Sequence, residues 1–241
     1  MEKIIRHSIS VVLPFYNEQY HIERAITDIN DYLVQKFQSY EIILVDDGSK
    51  DSSFSIAHRL SLHNDRIKLI KHNSNTGYGA SLATGFKNCS NDTIFFTDSD
   101  RQFDIKNLEL LLPSIRNHDI VIGYRKIRKD SLLRIVLSKG YNLLMRYIFN
   151  LNVKDIDCAF KLFHKDIFNK ITIESKRFSV NTEILAKAKI FNLSIAEISV
   201  EHFPRLGDYS KIGIQDIPRT LREVFRIWKS TRRIKKDAEL F

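Results

Sequence analysis

The chain has 241 residues, a net charge of +9 and an apolar fraction of 43%. This length and composition suit a single α/β domain with a sizeable core, and they exclude a disordered chain. Its two cysteines, Cys89 and Cys158, are too few for a disulfide framework and lack metal-site spacing, so a reducing compartment is expected.

Strand and helix patterns alternate through the first half of the chain. Apolar runs predict buried strands at 8–14, 40–45, 66–71, 93–97 and 119–123. Helical patterns between them cover about 18–36, 51–62, 77–88 and 105–116. Strands that are apolar throughout indicate an α/β fold, with a mostly parallel sheet and helices on both faces. Ligands bind at the carboxyl ends of such strands, where the polar motifs of this chain lie.

The second half carries two unusual helical segments. Residues 131–151 form a strongly apolar one, which either packs in the core or faces a lipid acceptor. A helix over 180–191 and a strand over 193–200 follow. Residues 214–234 then predict a basic amphipathic helix, which either packs on the domain or lies on a membrane surface.

Asp98-Ser99-Asp100 follows an apolar strand directly. Two carboxylates one residue apart can turn toward one hard cation, and Mg²⁺ or Mn²⁺ shares such ligands with substrate phosphates. The alternative is a polar turn in which either aspartate caps the next helix.

Two further polar motifs close strands. Asp46-Asp47-Gly48-Ser49 could accept hydrogen bonds from a ribose or a base, or could form an ordinary capped turn. Pro14-Phe15-Tyr16-Asn17-Glu18 closes the first strand and could equally be a strand end and a helix start.

A fourth motif, Asn75-Thr76-Gly77-Tyr78-Gly79-Ala80, lies between Ser49 and Asp98. The order of the four motifs along the chain resembles the family 2 inverting glycosyltransferases over residues 8–213. Within that family the chain is most similar to the dolichyl- and polyprenyl-phosphate sugar synthases. The resemblance implies an A-type glycosyltransferase fold, with a nucleotide-sugar half at 8–123 and an acceptor half at 124–213. The helix at 214–241 would follow the domain of residues 1–213.

The resemblance also implies roles for single residues, each of which matches a family position. The residues implied to bind the nucleotide are Pro14, Tyr16, Glu18, Val45, Asp46 and Asp47. Those implied at the metal and diphosphate are Asp98, Ser99, Asp100 and Gln102, with Arg205 and Lys211 closing over the diphosphate. Those implied at the acceptor phosphate are Arg125, Arg134 and Ser138. Asp100, Arg125 and Arg134 are the expected catalytic residues. Ala159 departs from the family, which usually has glycine there.

The implied reaction moves a hexose from GDP-mannose or UDP-glucose to a polyprenyl or dolichyl phosphate, with Mg²⁺ or Mn²⁺ as cofactor. A phosphate acceptor is already anionic and requires no general base. The alternative is a family 2 enzyme acting on a glycan hydroxyl in cell-surface polysaccharide synthesis, for which Glu183 is the candidate base. Glu183 could instead bond backbone N–H groups at a helix start.

The basic charge suits anionic lipid, a phosphorylated substrate or nucleic acid. The paired carboxylates and the lack of a stacking-aromatic motif argue against a nucleic-acid module. No signal peptide and no spanning segment appear in the sequence. We therefore expect a cytoplasmic protein that is peripheral on the cytoplasmic face of a membrane, docked directly or through a membrane partner protein.

Overall fold

The computed structural model describes residues 8–127, 129, 132–205 and 217–238. The strands are β1 (Ile9–Phe15), β2 (Tyr40–Asp46), β3 (Ile67–Lys71), β4 (Thr93–Thr97), β5 (Ile120–Arg125), β6 (Phe160–His164) and β7 (Ile195–Val200). The helices are α1 (Ile22–Lys36), α2 (Ser53–Leu62), α3 (Tyr78–Lys87), α4 (Leu108–Ile115), α5 (Leu132–Phe149), α6 (Ile167–Lys170), α7 (Val180–Ile190) and α8 (Ile217–Ala238). A 3-10 turn at Ile105–Asn107 leads into α4.

The seven strands form one sheet in the order β3-β2-β1-β4-β6-β5-β7. All pairings are parallel except those of β6, which runs antiparallel to both β4 and β5. Side chains of β1 alternate between the two faces, so Val11 and Leu13 enter one apolar cluster and Val12 the other. Helices α1, α2 and α4 cover the first face, while α3, α5, α7 and α8 cover the second. The predicted α/β class, with a mostly parallel sheet covered on both faces, is confirmed.

Strand β6 is absent from the sequence-based prediction, which has no strand between 151 and 180. The run is only five residues long and has a lysine at its second position, so it does not read as a buried strand. Lys161 is nevertheless fully buried. Its Nζ donates to the carbonyls of Ile156 and Cys158 and to Asn181 Oδ1 (2.8 Å), which compensates the buried charge.

The apolar segment in the second half is one helix, α5, and most of its large apolar side chains face outward. Leu132, Val136, Leu143 and Tyr147 are 65–85% exposed on one side of the helix, while Met145 is buried on the other. Neither the core-packing interpretation nor a wholly lipid-facing one describes this helix completely. Among the described residues, no helix combines the length and apolar content needed to cross a bilayer.

Helix α8 packs on the domain through one side. Val224 and Ile227 are buried, while Arg222, Arg226 and Lys229 are exposed. Ser179, just before α7, donates to Glu223 of α8. The helix therefore combines a packed face with a basic outer face. This arrangement is compatible with both sequence interpretations, packing on the domain and lying on a membrane surface.

The sheet order brings the polar motifs together. Strand β1 lies between β2 and β4, and the three run parallel, so their carboxyl ends share one edge. The segments after Phe15, Asp46 and Thr97 therefore converge. Both proposed halves of the domain contribute strands to this single sheet.

Candidate active site

A cavity of about 430 Å³ opens at that edge of the sheet. Nine residues predicted to bind substrate or metal line it: Pro14, Tyr16, Glu18, Asp47, Asp98, Ser99, Asp100, Arg134 and Arg205. Sequence reasoning assigned no role to Tyr78, Arg177 and Phe178, which also line it.

Asp98 and Asp100 form the acidic wall of the cavity. Burial and the neighbouring Asp100 charge raise the pKa of Asp98. Burial also raises the pKa of Asp100, although a backbone hydrogen bond from Gln102 and the charges of Arg205 and Arg134 oppose the shift. A bound cation would stabilise the ionised forms of these two neighbouring carboxylates, which burial otherwise disfavours.

Arg205 supplies a positive charge beside this wall. Its Nη2 donates to both carboxylate oxygens of Glu18 (2.7 and 2.9 Å), and its Nη1 lies 3.7 Å from Asp100 Oδ2. The buried Nε of Arg205 has no hydrogen-bond acceptor within the described part of the chain. A guanidinium held in this way can still offer N–H groups to a phosphate. Lys211, its predicted companion, lies outside the described residues.

The donor set suits Mg²⁺ or Mn²⁺ shared with a diphosphate. Gln102 donates through its backbone N to Asp100 Oδ1 (3.1 Å) and through Nε2 to the carbonyl of Phe203 (3.3 Å), and it does not line the cavity. No group of three or more His, Cys, Asp or Glu side chains suited to a metal occurs in the described residues. Hard cations that keep few protein ligands take the rest from substrate phosphates, and the cavity has room for them.

Most of the carboxylate oxygens of the Asp46-Asp47-Gly48-Ser49 motif already accept hydrogen bonds from within the protein. Asp47 Oδ1 accepts from Thr76 N (2.9 Å) and lies 2.8 Å from His72 Nδ1, while Oδ2 accepts from Gly77 N (2.8 Å). Asp46 Oδ1 accepts from Ser49 N (3.0 Å), and both Asp46 and Val45 are fully buried. Of these three predicted nucleotide ligands, only Asp47 reaches the cavity.

The three residues predicted at the acceptor phosphate lie in different environments. Arg134 lines the cavity and is close enough to Asp100 to affect its pKa. Ser138 lies one helical turn further along α5, where Asn142 donates to its carbonyl. Arg125 forms a two-point ion pair with Asp155 (2.6 and 2.7 Å), and its side chain is only 7% exposed. A guanidinium in this pair supports the loop after α5, and it does not line the cavity.

Glu183 is fully buried and saturated with donors. It accepts from the backbone N–H groups of Glu174 (3.0 Å) and Ser175 (2.8 Å) and from Lys187 Nζ (2.7 Å). A general base must reach the proton that it removes. This geometry favours the backbone-bonding interpretation of Glu183.

The cavity residues that sequence reasoning missed lie in two short segments. Tyr78 lies within the glycine-rich motif at 75–80, and Arg177-Phe178 precedes α7. Neither segment has a charge pattern that predicts a ligand, so only the fold reveals their position. Ala159, where the family usually has glycine, is not among the described residues with positive φ, so alanine fits the local backbone.

Comparison with protein families agrees with this geometry. A family model described as glycosyl transferase family 2 matches residues 10–172. Glycosyltransferase AglD of Haloferax volcanii is 29% identical over 231 residues, which is 91% of this chain and 37% of that protein. A dolichyl-phosphate β-glucosyltransferase of Dictyostelium discoideum is 30% identical over 80% of this chain and 65% of that protein. The chain therefore spans between about one third and two thirds of the length of these relatives.

Solved structures share the fold. Glucosyl-3-phosphoglycerate synthase of Mycobacterium tuberculosis, crystallised with Mn²⁺, UDP and glucosyl-3-phosphoglycerate, superposes with a TM-score of 0.71 at 17% identity. The match covers 93% of this chain and 80% of that one. The A-type glycosyltransferase fold expected from the sequence is confirmed.

Proposed function

The chain belongs to glycosyl transferase family 2, and we propose that it transfers a hexose, with inversion, from a nucleotide sugar to a polyprenyl phosphate at a membrane surface. The observation that carries the proposal is a cavity with both charge types. It joins the carboxylates of Asp98 and Asp100 to the guanidinium groups of Arg134 and Arg205. Such a cavity suits a reaction in which two phosphate groups meet beside a cation.

The relatives' names support the acceptor and the donor class. Two are dolichyl-phosphate β-glucosyltransferases, from Dictyostelium discoideum and Homo sapiens, and one from Aeromonas hydrophila acts on undecaprenyl phosphate. The Mycobacterium tuberculosis synthase was also crystallised with Mn²⁺ and UDP-glucose. UDP-glucose is therefore the first donor to test, and GDP-mannose is the second.

In the proposed reaction an acceptor phosphate oxygen forms a bond to the anomeric carbon while the bond to the nucleoside diphosphate breaks. The electron pair leaves with the diphosphate, and no proton is transferred. Arg134 would hold the acceptor phosphate in line for attack, and Arg205 would hold the departing diphosphate. Mg²⁺ or Mn²⁺, held by Asp98 and Asp100, would neutralise the charge that develops on the leaving group.

A hydroxyl acceptor needs a base to remove its proton. Glu183 is the sequence candidate, but it is fully buried and bonded to two backbone N–H groups and Lys187. This observation favours the phosphate acceptor over the glycan hydroxyl.

The acceptor lipid remains in the bilayer, so the protein must reach the membrane surface. Helix α5 carries Arg134 on its cavity side and exposes Leu143 and Tyr147 on its outer side. Lys139 and Arg146 are exposed along one edge of the apolar side. An apolar strip edged by basic residues suits an anionic membrane. Nothing in the relatives' names supports the membrane partner protein that the sequence left open.

A transfer assay tests the function. The full chain is incubated with Mn²⁺, a polyprenyl phosphate in detergent and either UDP-glucose or GDP-mannose, and the glycosylated lipid is measured by mass spectrometry. We expect product with one donor and none after chelation. Faster transfer to a soluble glycan than to the lipid phosphate would replace the proposal with the hydroxyl-acceptor alternative.

The role of Arg134 is tested separately. Arg134→Ala is expected to lower the transfer rate at least about 100-fold, because a positioning and charge-stabilising contact is lost. UDP binding with Mn²⁺, measured by thermal shift, should change little. The exposed Arg116→Ala serves as the control for loss of a positive charge. An equal loss of UDP affinity would assign Arg134 to the donor diphosphate.

A further inference from the structure

We propose that Tyr78 is a positioning residue that orients Asp98 toward the cation and the diphosphate. The inference rests on the proposed function, because it assigns Asp98 to the cation. The Tyr78 hydroxyl donates to Asp98 Oδ1 over 2.8 Å. Metal-binding side chains are commonly held by such outer hydrogen bonds, which set the orientation of the ligand atom.

The backbone that carries Tyr78 is itself fixed by hydrogen bonds and by a tight turn. Tyr78 is the first residue of α3 and directly follows Gly77, whose φ is +104°. Asp47 accepts from Gly77 N (2.8 Å) and from Thr76 N (2.9 Å), so this carboxylate determines where α3 begins. A Cβ on Gly77 would lie 2.1 Å from the carbonyl oxygen of Lys176, so the turn accepts only glycine.

The ring is held from the opposite side by Phe178. The two rings are stacked, with centroids 5.4 Å apart and an interplanar angle of 25°. Phe178 is continuous with the segment at 174–175 that Glu183 binds through backbone N–H groups. The tyrosine hydroxyl therefore has little freedom to leave Asp98.

The Tyr78 hydroxyl is the donor in this hydrogen bond, because a carboxylate that binds a cation has only acceptor atoms. The hydroxyl occupies one side of Oδ1 and restricts the carboxylate to fewer orientations.

Tyr78→Phe tests the proposal, because it keeps the stacked ring and removes only the hydroxyl. Mn²⁺ binding in the presence of UDP is measured by electron paramagnetic resonance. We expect the dissociation constant to rise about 10-fold or more, as for other outer-shell substitutions. The matched control is Tyr141→Phe, which removes a hydroxyl that lies 2.8 Å from Thr182 Oγ1 outside the cavity lining. Its Mn²⁺ affinity should equal that of wild type.

The outcomes separate the inference from the proposed function. If wild type binds Mn²⁺ with UDP and Tyr78→Phe binds it equally well, the positioning role is overturned while the proposed function stands. If wild type binds neither Mn²⁺ nor UDP, the positioning role and the proposed function both fail. Should Tyr78→Phe fold poorly, Phe178→Leu keeps the hydroxyl and removes its support, and it is expected to weaken Mn²⁺ binding several-fold. Unchanged binding in that variant would overturn the role.

Discussion

Asp47 shows how a residue at a site can work through the backbone. The sequence places it after a buried strand, where a carboxylate could bind a ribose or a base. In the fold, its oxygens accept from the Thr76 and Gly77 N–H groups and approach His72. Burial alone would raise its pKa, but these hydrogen bonds outweigh burial and hold the pKa below its usual value.

A lowered pKa gives Asp47 a pH-dependent effect on stability. The stabilisation is present above the pKa of the unfolded chain, about 3.9, and is lost as pH falls through the folded value. We expect Asp47→Asn to lower the free energy of unfolding by about 2 kcal/mol at pH 7, because hydrogen bonds to a charged group are lost. The difference from wild type should shrink below about pH 4.

Urea unfolding at pH 7, 5 and 3.5 measures this difference. Asp65→Asn, at an exposed position, is the control and should match wild type throughout. A difference that stays constant with pH would assign the loss to packing rather than to the ionised carboxylate.

At the scale of elements, α7 supports the segment that contributes Arg177 and Phe178 to the cavity. Glu183 and Lys187 form a buried ion pair one turn apart (2.7 Å), and both also bind the backbone of the segment at 172–175 before the helix. That segment continues into Arg177 and Phe178, which line the cavity. The helix therefore positions cavity residues without entering the cavity.

A paired substitution distinguishes this supporting role from catalysis. Glu183→Gln leaves the buried charge of Lys187 with only the more distant carboxylate of Glu174 (3.5 Å) and should lower the free energy of unfolding by about 3 kcal/mol. Adding Lys187→Met removes that charge and should recover most of the loss. Under stabilising conditions, the double variant should retain much of the wild-type kcat.

Chemical denaturation and steady-state kinetics measure the two effects. A double variant that is stable and binds UDP yet shows no transfer would make Glu183 a general base and revive the hydroxyl acceptor.

At the scale of the whole molecule, the two helices with outward apolar or basic residues share one face of the sheet. Tyr141 of α5 lies 2.8 Å from Thr182 of α7, and α8 packs on α7 through its buried side. Phe225 and Leu221 of α8 are exposed together with its arginines. One side of the protein therefore combines apolar and basic character.

This side should bind anionic membranes. Leu143→Gln with Tyr147→Gln is expected to weaken co-sedimentation with anionic liposomes about tenfold, since two large apolar side chains contribute more than about 1.4 kcal/mol. Binding of wild type should fall with added salt, because each basic residue contributes about 1 kcal/mol at low ionic strength.

Val34→Gln with Leu62→Gln is the matched control, because these side chains are similarly exposed on α1 and α2. Equal loss in both double variants would mean that binding has no preferred side. A wild-type protein that ignores anionic liposomes at low salt would contradict direct docking.

The sequence by itself determined the α/β class, most element positions and the strand-end motifs, because these depend on local hydrophobic patterns and turn residues. It also indicated the family, because the motifs keep their order along the chain. Tertiary structure alone decided which charged groups are available. Asp47, Arg125 and Glu183 resemble ligands in sequence. In the fold, Asp47 and Arg125 bond to partners 30 residues away in the chain, and Glu183 bonds to backbone N–H groups of the segment that precedes its helix. Strand β6 and Tyr78 likewise depend on neighbours from other segments, since an antiparallel pairing or a hydroxyl on Asp98 leaves no periodic signal in the sequence.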